Sequence, residues 1–386
     1  MAPKVKLTDV KVKQVALLTS LGRSQKEIKS LLGLSQASIS RGMRRARQQG
    51  YLLDQPICTL PPDEIAGLEQ EVYSPELLVA LQRLQPAAGA HLRHVRIFHV
   101  GRGRTGGPGA LERYRDRFGQ LVAQHLLEQV FPHVRSMGVT WGGTLLSVVR
   151  GFAACRAQQP RPRSPIEFFP VCGSPPDAIE AALRSSSNLV ALLDEQLNDA
   201  TTNPNNFTGV CASFSSRLSK ADIRAVKKYF RLLRGYGRVF GLGNEPGRID
   251  TMDAVITSIG NTNAAENPWL GGAADAAGVD PALLAAQVVG NLGGLFLPRP
   301  GLDAAKTRLV ERVNAGWTGI GFPQFFACSA RASKRERGGT ILVAYGRRSD
   351  VTLECVRRGL VSELLIDSEL ATGLLDALGL RRPVPL

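Results

Sequence analysis

The side chains best suited to chemistry lie in one short stretch near the N-terminus, from Gln36 to Arg47. Glutamine can hydrogen-bond an adenine edge at two points, serine suits several bases, and a small side chain such as alanine can touch a thymine methyl group. Arginine can clamp phosphates or read guanine. These residue types predict DNA recognition. The expected DNA-contacting residues are Gln25, Ser35, Gln36, Ala37, Ser38, Ser40, Arg41, Arg44 and Arg45.

Two short helices joined by a tight turn would present these side chains. The first is predicted from about Ser24 to Leu32, because Ser24 can cap its first turn and Glu27 can bond back to form a capping box. Gly33 supplies the turn, and Ser35 caps the second helix. The apolar residues expected to face the core are Ile28, Leu31, Leu32, Ile39, Met43 and Ala46. This layout is that of a helix-turn-helix, whose recognition helix enters the major groove by its N-terminal end.

The alternative is an amphipathic helix pair of the kind any helical domain contains, and the charge distribution weighs against it. Residues 1–55 hold 11 Lys or Arg and three acidic residues, a net charge of +8 out of +15 for the whole chain. Positive charge alone would attract any polyanion, RNA and acidic proteins included. The helix-turn-helix pattern makes DNA the expected partner.

The composition of the 386-residue chain indicates a globular cytoplasmic protein. It is 44% hydrophobic and 21% charged, and it has no apolar run long enough to span a membrane. The N-terminus lacks the apolar stretch of a secretory signal. Six cysteines without a CxxC pair favour reduced thiols over disulfides or a metal site. We expect no cofactor and no metal.

Three regions are predicted: a helix-turn-helix domain at 1–55, a linker with a connector helix at 56–90, and an effector and oligomerisation domain at 91–386. The third region alternates short apolar runs with helical stretches, which predicts an α/β fold with a parallel sheet. Its predicted strands are Val95–Val100, Met137–Thr140, Ile166–Val171, Ala254–Ser258, Thr340–Ala344 and Glu363–Ile366. Its predicted helices are Leu111–Val130, Gly143–Ala157, Asp177–Glu195, Lys220–Leu233, Pro281–Val289 and Asp350–Arg358, with long loops at Asn198–Val210 and Gly316–Gly339.

Ligands of such sheets settle beyond the carboxyl ends of the strands. The most suggestive loop there is Thr140-Trp141-Gly142-Gly143-Thr144, which follows a predicted strand and opens a helix. Glycines allow close approach to a ligand, and the free N–H groups of the helix favour an anion. The same motif is also common as a purely structural turn. Arg347 and Arg348 follow another strand and could supply cations, unless they are only solvated surface residues.

No catalytic constellation is recognisable in the sequence. GxxxxGK[ST], HExxH and GxSxG are absent, and the five histidines lie between His91 and His133 with neither zinc nor triad spacing. We expect His91, His94 and His99 to face solvent or one another.

Three segments together resemble the SorC-type sugar-binding transcriptional regulators. SQKEIKSLLGLSQASISRGMRRARQQG is similar to that family's helix-turn-helix, SQxEIAxxLxxSxxxVSRLLxxARxxG. GVTWGGTL is similar to its GVxWGxTL loop, and ILVAYGRRSDVTLECVRRGLVSELLIDSELATGLL is similar to its C-terminal segment. The resemblance covers most of the chain and is weak between about 195 and 245.

The resemblance implies a Rossmann-like effector domain, similar to sugar-phosphate isomerases and deaminases, that binds a sugar, polyol or sugar phosphate without converting it. It also implies homodimers or homotetramers on a DNA operator. Carried over by motif, the effector-binding residues are Thr140, Trp141, Gly142, Gly143, Thr144, Gly173, Gly260 and Asn291, with Arg347 and Arg348 as added cations. Asn291 stands where the family has Asp, and Ser349 stands where it has a Lys that can hold a phosphate.

Two other classes of protein compete with an effector-controlled regulator. One is a sugar-phosphate isomerase, deaminase or lactonase fused to a DNA-binding head, which the fold would allow. The other is a helix-turn-helix recombinase. The absence of an acid–base pair and the Asn291 replacement disfavour the enzyme, and the absence of a carboxylate triad or a serine nucleophile in a recognisable context disfavours the recombinase.

Overall fold

The computed structural model describes most of the chain, and the statements below concern only the residues it describes. These are residues 7–20, 23–52, 68, 75–85, 91–100, 109–156, 165–174, 182–198, 203–207, 210–214, 218–242, 244–263, 266–332 and 337–380. The start of the predicted linker, with Pro56, Pro61 and Pro62, therefore lies outside the described residues.

Three helices form the N-terminal head: α1 (Asp9–Ser20), α2 (Gln25–Leu32) and α3 (Gln36–Gln48). They confirm the predicted helix pair, and α1 precedes it. A fourth helix, α4, covers residues 75–82 and is the described part of the predicted connector. Leu77 and Leu81 of α4 are fully buried in the same apolar cluster as residues of α1 and α2.

A six-stranded parallel sheet forms the centre of the larger region, in the order β1-β8-β7-β4-β2-β3. Its strands are β1 (His94–Phe98), β2 (Ser136–Val139), β3 (Glu167–Pro170), β4 (Ala254–Gly260), β7 (Gly339–Ala344) and β8 (Glu363–Asp367). All six predicted strands are confirmed to within a few residues at their ends. They were recognisable because strands buried on both faces read as short continuous apolar runs.

Helices connect and cover these strands. After α4 they are α5 (Ala110–His125), α6 (Gly143–Arg156), α7 (Ser186–Leu193), α8 (Lys220–Leu232), α9 (Arg234–Phe240), α10 (Arg248–Thr251), α11 (Pro268–Ala276), α12 (Pro281–Gln287), α13 (Ala304–Ala315), α14 (Phe322–Ala332), α15 (Ser349–Arg357) and α16 (Ser368–Ala377). A π-helical turn, Leu126–Val130, extends α5, and another, Asp194–Asn198, extends α7. The architecture is α/β, as predicted. None of the described helices combines the length and the apolar character needed to cross a membrane.

A β-hairpin replaces the end of one predicted helix. The helix expected at Pro281–Val289 ends at Gln287, and β5 (Val288–Leu292) turns back as β6 (Leu295–Pro298). Gly293 and Gly294 have φ of +57° and +115° and form the two-residue turn between these strands. β5 pairs with the end of β4 in antiparallel register. The Gly-Gly pair between two apolar runs was the sequence signal for this hairpin.

Two further predictions were wrong. The loop expected at Gly316–Gly339 contains α14, because Phe325, Cys328 and Ala332 recur at helical spacing and are buried. The helix expected at Asp177–Glu195 is interrupted, because the Ser185 hydroxyl accepts the Asn188 N–H and caps a new helix. Residues 177–181 of that prediction lie outside the described residues.

His91 was expected to face solvent or another histidine but is buried. Its ring meets Phe326 of α14 edge to face, with centroids 4.9 Å apart. Burial lowers the pKa of His91. The imidazole therefore packs as an apolar ring rather than as a charged surface group.

The pH dependence of folding should contain a contribution from His125. Burial, reinforced by Arg337 and Arg96, lowers its pKa from 6.5 to about 4. Protonation therefore favours the unfolded chain, so this contribution to stability is present above pH 6.5 and falls as the pH drops toward 4. Between pH 7 and pH 5 the natural chain should lose about 2 kcal/mol more unfolding free energy than His125→Phe, a variant that keeps the edge contact with Phe98.

Urea unfolding of both chains at the two pH values measures this difference. An equal loss of unfolding free energy in both would mean that His125 titrates alike in the folded and unfolded states.

Candidate functional site

The turn between α2 and α3 is held by local hydrogen bonds. The Ser24 hydroxyl accepts the Glu27 N–H, and the Glu27 carboxylate accepts the Ser24 N–H at 2.8 Å, which completes the predicted capping box. That backbone hydrogen bond from Ser24 is the main reason why the pKa of Glu27 is lowered. Gly33 follows α2 with φ of +63°, and the Ser35 hydroxyl accepts the Ser38 N–H at the start of α3.

A close helix crossing positions α3 in the head. Ile39 and Ala46 are fully buried, and Gly42 lies on the same face against Val15 of α1. A Cβ added at Gly42 would lie 3.3 Å from a methyl group of Val15, which is tight contact. The small residue at position 42 therefore lets α3 approach α1 closely, which sets the direction of its outer face.

That outer face carries most of the predicted DNA-contacting residues. The side chains of Gln25 and Gln36 meet there, with Gln36 Nε2 donating to Gln25 Oε1 at 3.4 Å. Arg45 is exposed but pairs with Asp9 at 3.7 Å. The exposed residues of the predicted set are Gln25, Ser35, Gln36, Ala37, Ser40, Arg41, Arg44 and Arg45.

The placement of Ser38 on this face was wrong. Ser38 is only 8% exposed, and its hydroxyl lies 2.9 Å from that of Ser35. The first turn of α3 uses both serines for capping, so Ser38 points inward. Lys29, which departs from the family pattern, is exposed and leaves the packing of α2 undisturbed.

A buried arginine joins the head to α4. The guanidinium of Arg23 lies 3.4 Å from the carboxylate of Glu27 in α2 and 3.4 Å from that of Glu76 in α4. Only 5% of the Arg23 side chain is exposed, while the side chains of Glu27 and Glu76 are 38% and 22% exposed. This contact fixes the start of the helix-turn-helix to the connector helix.

The loops predicted to bind an effector lie at one edge of the sheet. β2, β4 and β7 are parallel neighbours, so their carboxyl ends meet there. The Thr140 hydroxyl lies 3.2 Å from that of Thr257 on β4, and Gly142 packs against Ser258. The structure thus brings the Thr140–Thr144 loop against the end of β4, and α6 begins at Gly143 as expected.

Trp141 fills the interior of this edge and is 7% exposed. Its ring meets Trp269 of α11 and Trp317, which follows α13, with centroid distances of 4.7 and 5.6 Å. Trp269 and Trp317 donate their indole N–H groups to the backbone carbonyls of Gly294 and Ile320. The three tryptophans together occupy the space beneath the β5–β6 turn.

Asn291 lies beside Gly260, its partner in the antiparallel β4–β5 register. Asn291 is 5% exposed, its Oδ1 accepts the Gly294 N–H, and its Nδ2 has no acceptor among the described residues. A Cβ at Gly260 would lie 2.5 Å from that Nδ2, so glycine is required for β5 to approach. An amide at position 291 cannot take a proton as a carboxylate would.

Gly173, also predicted to bind the effector, does not lie with Thr140, Gly260 and Asn291. Its Cα lies against the backbone of Val210 and Cys211, where an added Cβ would be 2.5 Å from the Cys211 carbonyl oxygen. In this arrangement the glycine allows two chain segments to pack and does not face an open space.

Two clefts open beside the buried edge. The larger has a volume of about 400 Å³ and lies between the loop after β4, the start of α15 and α16, with Arg299, Arg347 and Arg348 on its wall. The smaller has a volume of about 200 Å³ and lies at the start of α6 beside Gly143. Its charged lining residues are Glu112, Arg115, Asp116, Arg150 and Arg184.

Tyr345 separates these two clefts. Its hydroxyl accepts a hydrogen bond from Arg115 Nε at 3.1 Å, while the Arg348 guanidinium stacks over its ring at 4.7 Å. Arg347 is 92% exposed and reaches Glu369 at 3.5 Å. Both clefts therefore offer arginines near a helix N-terminus, a combination that suits an anionic group.

No protein-family model and no curated protein matches the sequence, but solved structures match it along most of its length. The full-length sorbitol operon regulator SorC from Klebsiella pneumoniae has a TM-score of 0.52 at 15% identity, over 95% of this chain and 99% of that one. A DeoR family transcriptional regulator from Listeria monocytogenes has a TM-score of 0.52 at 13% identity, over 78% and 100%. A transcriptional regulator from Streptococcus pneumoniae TIGR4 has a TM-score of 0.52 at 16% identity, over 80% and 98%. The chain has the SorC-type fold.

This confirms, at the level of the fold, the resemblance predicted from the sequence. Within the SorC-type fold, the structure adds residues that the sequence did not single out: Arg115, Arg150 and Arg184 at the smaller cleft, and Trp269 and Trp317 beside Trp141. No local motif marks them, because each lies on a different element from the loop it approaches.

The close crossing of α1 and α3 can be tested by enlarging Gly42. We expect Gly42→Leu to lower the unfolding free energy by about 1–3 kcal/mol, because its side chain would push against Val15. Gly42→Ala should stay within about 1 kcal/mol of the natural chain, since better helix propensity offsets the tight contact. Urea unfolding measures both, and equal stability of the two variants would contradict the crossing geometry.

Proposed function

We propose that this chain is a DNA-binding transcriptional regulator of the SorC type, whose operator affinity is set by a small sugar, polyol or sugar phosphate. Residues 1–55 are the DNA-binding domain, 56–90 the connector, and 91–386 the effector and oligomerisation domain. The proposed partners are a double-stranded DNA operator and a second copy of the chain, in a homodimer or homotetramer.

The observation that carries the proposal is the outer face of α3. Gln36, Ala37, Ser40 and Arg41 project from its first turns into solvent, next to Gln25 at the start of α2. Short polar side chains at the start of the helix are suited to base edges, and the arginines that follow are suited to phosphates. The capping bonds of Ser24 and Ser35 and the Gly42–Val15 contact hold this surface rigid.

The effector is proposed to bind at the carboxyl edge of the sheet, through the Thr140–Thr144 loop, Gly260, Asn291, Arg347 and Arg348. Arginines in both clefts support a ligand that carries a phosphate or another anion. Gly173 belongs to the predicted set, but its packing against Cys211 supports a structural role. Ligand binding would change operator affinity if one arrangement of the domains or subunits bound the ligand better than another.

Arg41→Ala should weaken binding to operator DNA about tenfold or more, because Arg41 is exposed on the recognition face. Arg308→Ala, which removes an exposed arginine from α13, is the matched control and should leave affinity unchanged. Fluorescence anisotropy at one fixed salt concentration measures both. Unchanged affinity of the Arg41 variant would remove this residue from the interface.

Gly143→Trp should abolish the effector response and spare DNA binding, because its side chain would fill the smaller cleft between Arg115 and Arg184. The measurement is operator affinity with and without the effector. If the response survives, the effector binds elsewhere, and the 400 Å³ cleft at Arg348 becomes the site to alter.

The experiment that tests the whole proposal is operator binding by the full chain, on DNA from its own promoter region, titrated with sugars, polyols and their phosphates. A compound that shifts affinity several-fold and is recovered unchanged supports the regulator. A compound that is converted into product would favour an isomerase-like or deaminase-like enzyme with a DNA-binding head. Failure to bind DNA would overturn the proposal.

A further inference from the structure

The positive charge of the chain is concentrated in two places, and only one belongs to the helix-turn-helix. Residues 220–238 hold seven Lys or Arg and one acidic residue, a net charge of +6. Together with the +8 of residues 1–55 this is +14 of the total of +15, so the remaining 312 residues are almost neutral. The second concentration lies in the effector domain, in the segment where the family resemblance is weak.

Helices α8 and α9 present these charges on the surface. Arg224, Lys228 and Arg231 are exposed at helical spacing along α8, and Arg234 and Arg238 are exposed on α9. We call these five residues the α8–α9 basic surface. From Arg224 to Arg231 the charges of α8 extend about 10 Å along the helix axis, so they form a strip rather than a point.

The opposite face of the two helices anchors them to the domain. Phe230 is buried against Phe214 and Tyr236, and the Tyr236 hydroxyl donates to the Thr318 carbonyl at 2.7 Å. Gly235 packs directly against the Asn206 backbone. The cations are therefore held at fixed positions on the body of the domain.

The basic surface is not neutralised by neighbours. Within the described part of the chain, no carboxylate forms an ion pair with any of its five residues. The one acidic residue of α8, Asp222, is used in a capping box with Ser219 at the helix start. Five unpaired cations on one surface repel one another. An anionic binding partner would relieve this repulsion.

We propose that the α8–α9 basic surface binds the phosphate backbone of duplex DNA, as a second contact beyond the helix-turn-helix. This inference rests on the proposed function, since a chain held on DNA by its head has a raised local concentration of phosphates around its other cationic surfaces. Arginine and lysine contacts to phosphate add affinity without reading sequence. Tyr229, which is 59% exposed among the cations, offers a hydroxyl that can donate to a phosphate oxygen.

A second copy of the chain docked face to face through this surface is disfavoured, because a two-fold contact would oppose like charges. Leu232 is 66% exposed within the strip, but a single exposed leucine is ordinary on a protein surface. An acidic protein surface has the same charge as DNA and is the outcome that the experiment below distinguishes.

The test compares salt dependence of binding for two double variants of the full chain. Arg224→Gln/Lys228→Gln removes two cations four residues apart from α8, and Arg308→Gln/Arg312→Gln removes two exposed cations with the same spacing from α13. Binding to a random-sequence duplex and to promoter DNA is followed by fluorescence anisotropy between about 50 and 200 mM salt. Because both variants change exposed side chains, circular dichroism should show unchanged folds.

We expect the α8 variant to lower the slope of log affinity against log salt by about 1.8, since each phosphate contact contributes about 0.9. Between 50 and 200 mM salt, the affinity of the α8 variant would then fall about tenfold less than that of the natural chain. The difference should be the same for the random-sequence duplex and for promoter DNA. The α13 variant should match the natural chain. A variant that exchanges the cations, Arg224→Lys/Lys228→Arg, should keep the slope.

Three results would overturn the inference. If the natural chain binds DNA and the α8 variant keeps its slope, the basic surface does not touch DNA and serves an acidic protein partner, while the proposed regulator stands. If the natural chain binds no duplex at all, the proposed function fails together with the second contact. An equal fall in slope for the α8 and α13 variants would mean general charge attraction and would also remove the specific surface.

Discussion

Parallel hydrogen bonding between β2, β4 and β7 is the constraint on which the arrangement of the effector domain depends. It carries the loops after these strands to one edge, although they are separated by more than 80 residues along the chain. It also requires each connection to cross back over a face of the sheet, which is why helices such as α6 and α15 begin at that edge. Their N-termini and the arginines of neighbouring loops then face the same clefts.

The hairpin β5–β6 changes what this edge can do. It pairs with the end of β4, places Asn291 against Gly260, and supplies the carbonyl that holds the Trp269 indole. The space directly above β2 and β4 is consequently filled by side chains, and the open clefts lie to either side. The hairpin also places a buried amide at this edge, where Asn291 accepts the Gly294 N–H.

Much of the fold could be predicted from the sequence, and the failures have physical causes. The strands were evident because residues such as Ile341 to Val343 are apolar on both faces, and Ser24, Glu27 and Gly33 mark the helix ends by their own hydrogen bonding and backbone freedom. The hairpin was missed because Val288 and Val289 extend an apolar pattern that also suits a helix, and only Gly293 decides between them.

The candidate sites were less predictable than the fold. Ser38 has the residue type of a base contact, yet the hydrogen bond to Ser35 turns it inward. The cleft beside Gly143 is formed by Arg115 and Arg184, which are remote in sequence and belong to no local motif. Such sites depend on how helices and strands pack together. The spacing of residues within one helix or strand does not predict that packing.

The meeting of Trp141, Trp269 and Trp317 has a consequence for observing the molecule in solution. These are the only three tryptophans in the chain, and their rings lie within 5.7 Å of one another, centre to centre. At such distances excitation passes readily between indoles, so the ultraviolet emission of the whole protein comes from one location. That location is the edge of the sheet between the two clefts, which makes the unlabelled chain its own optical probe of this region.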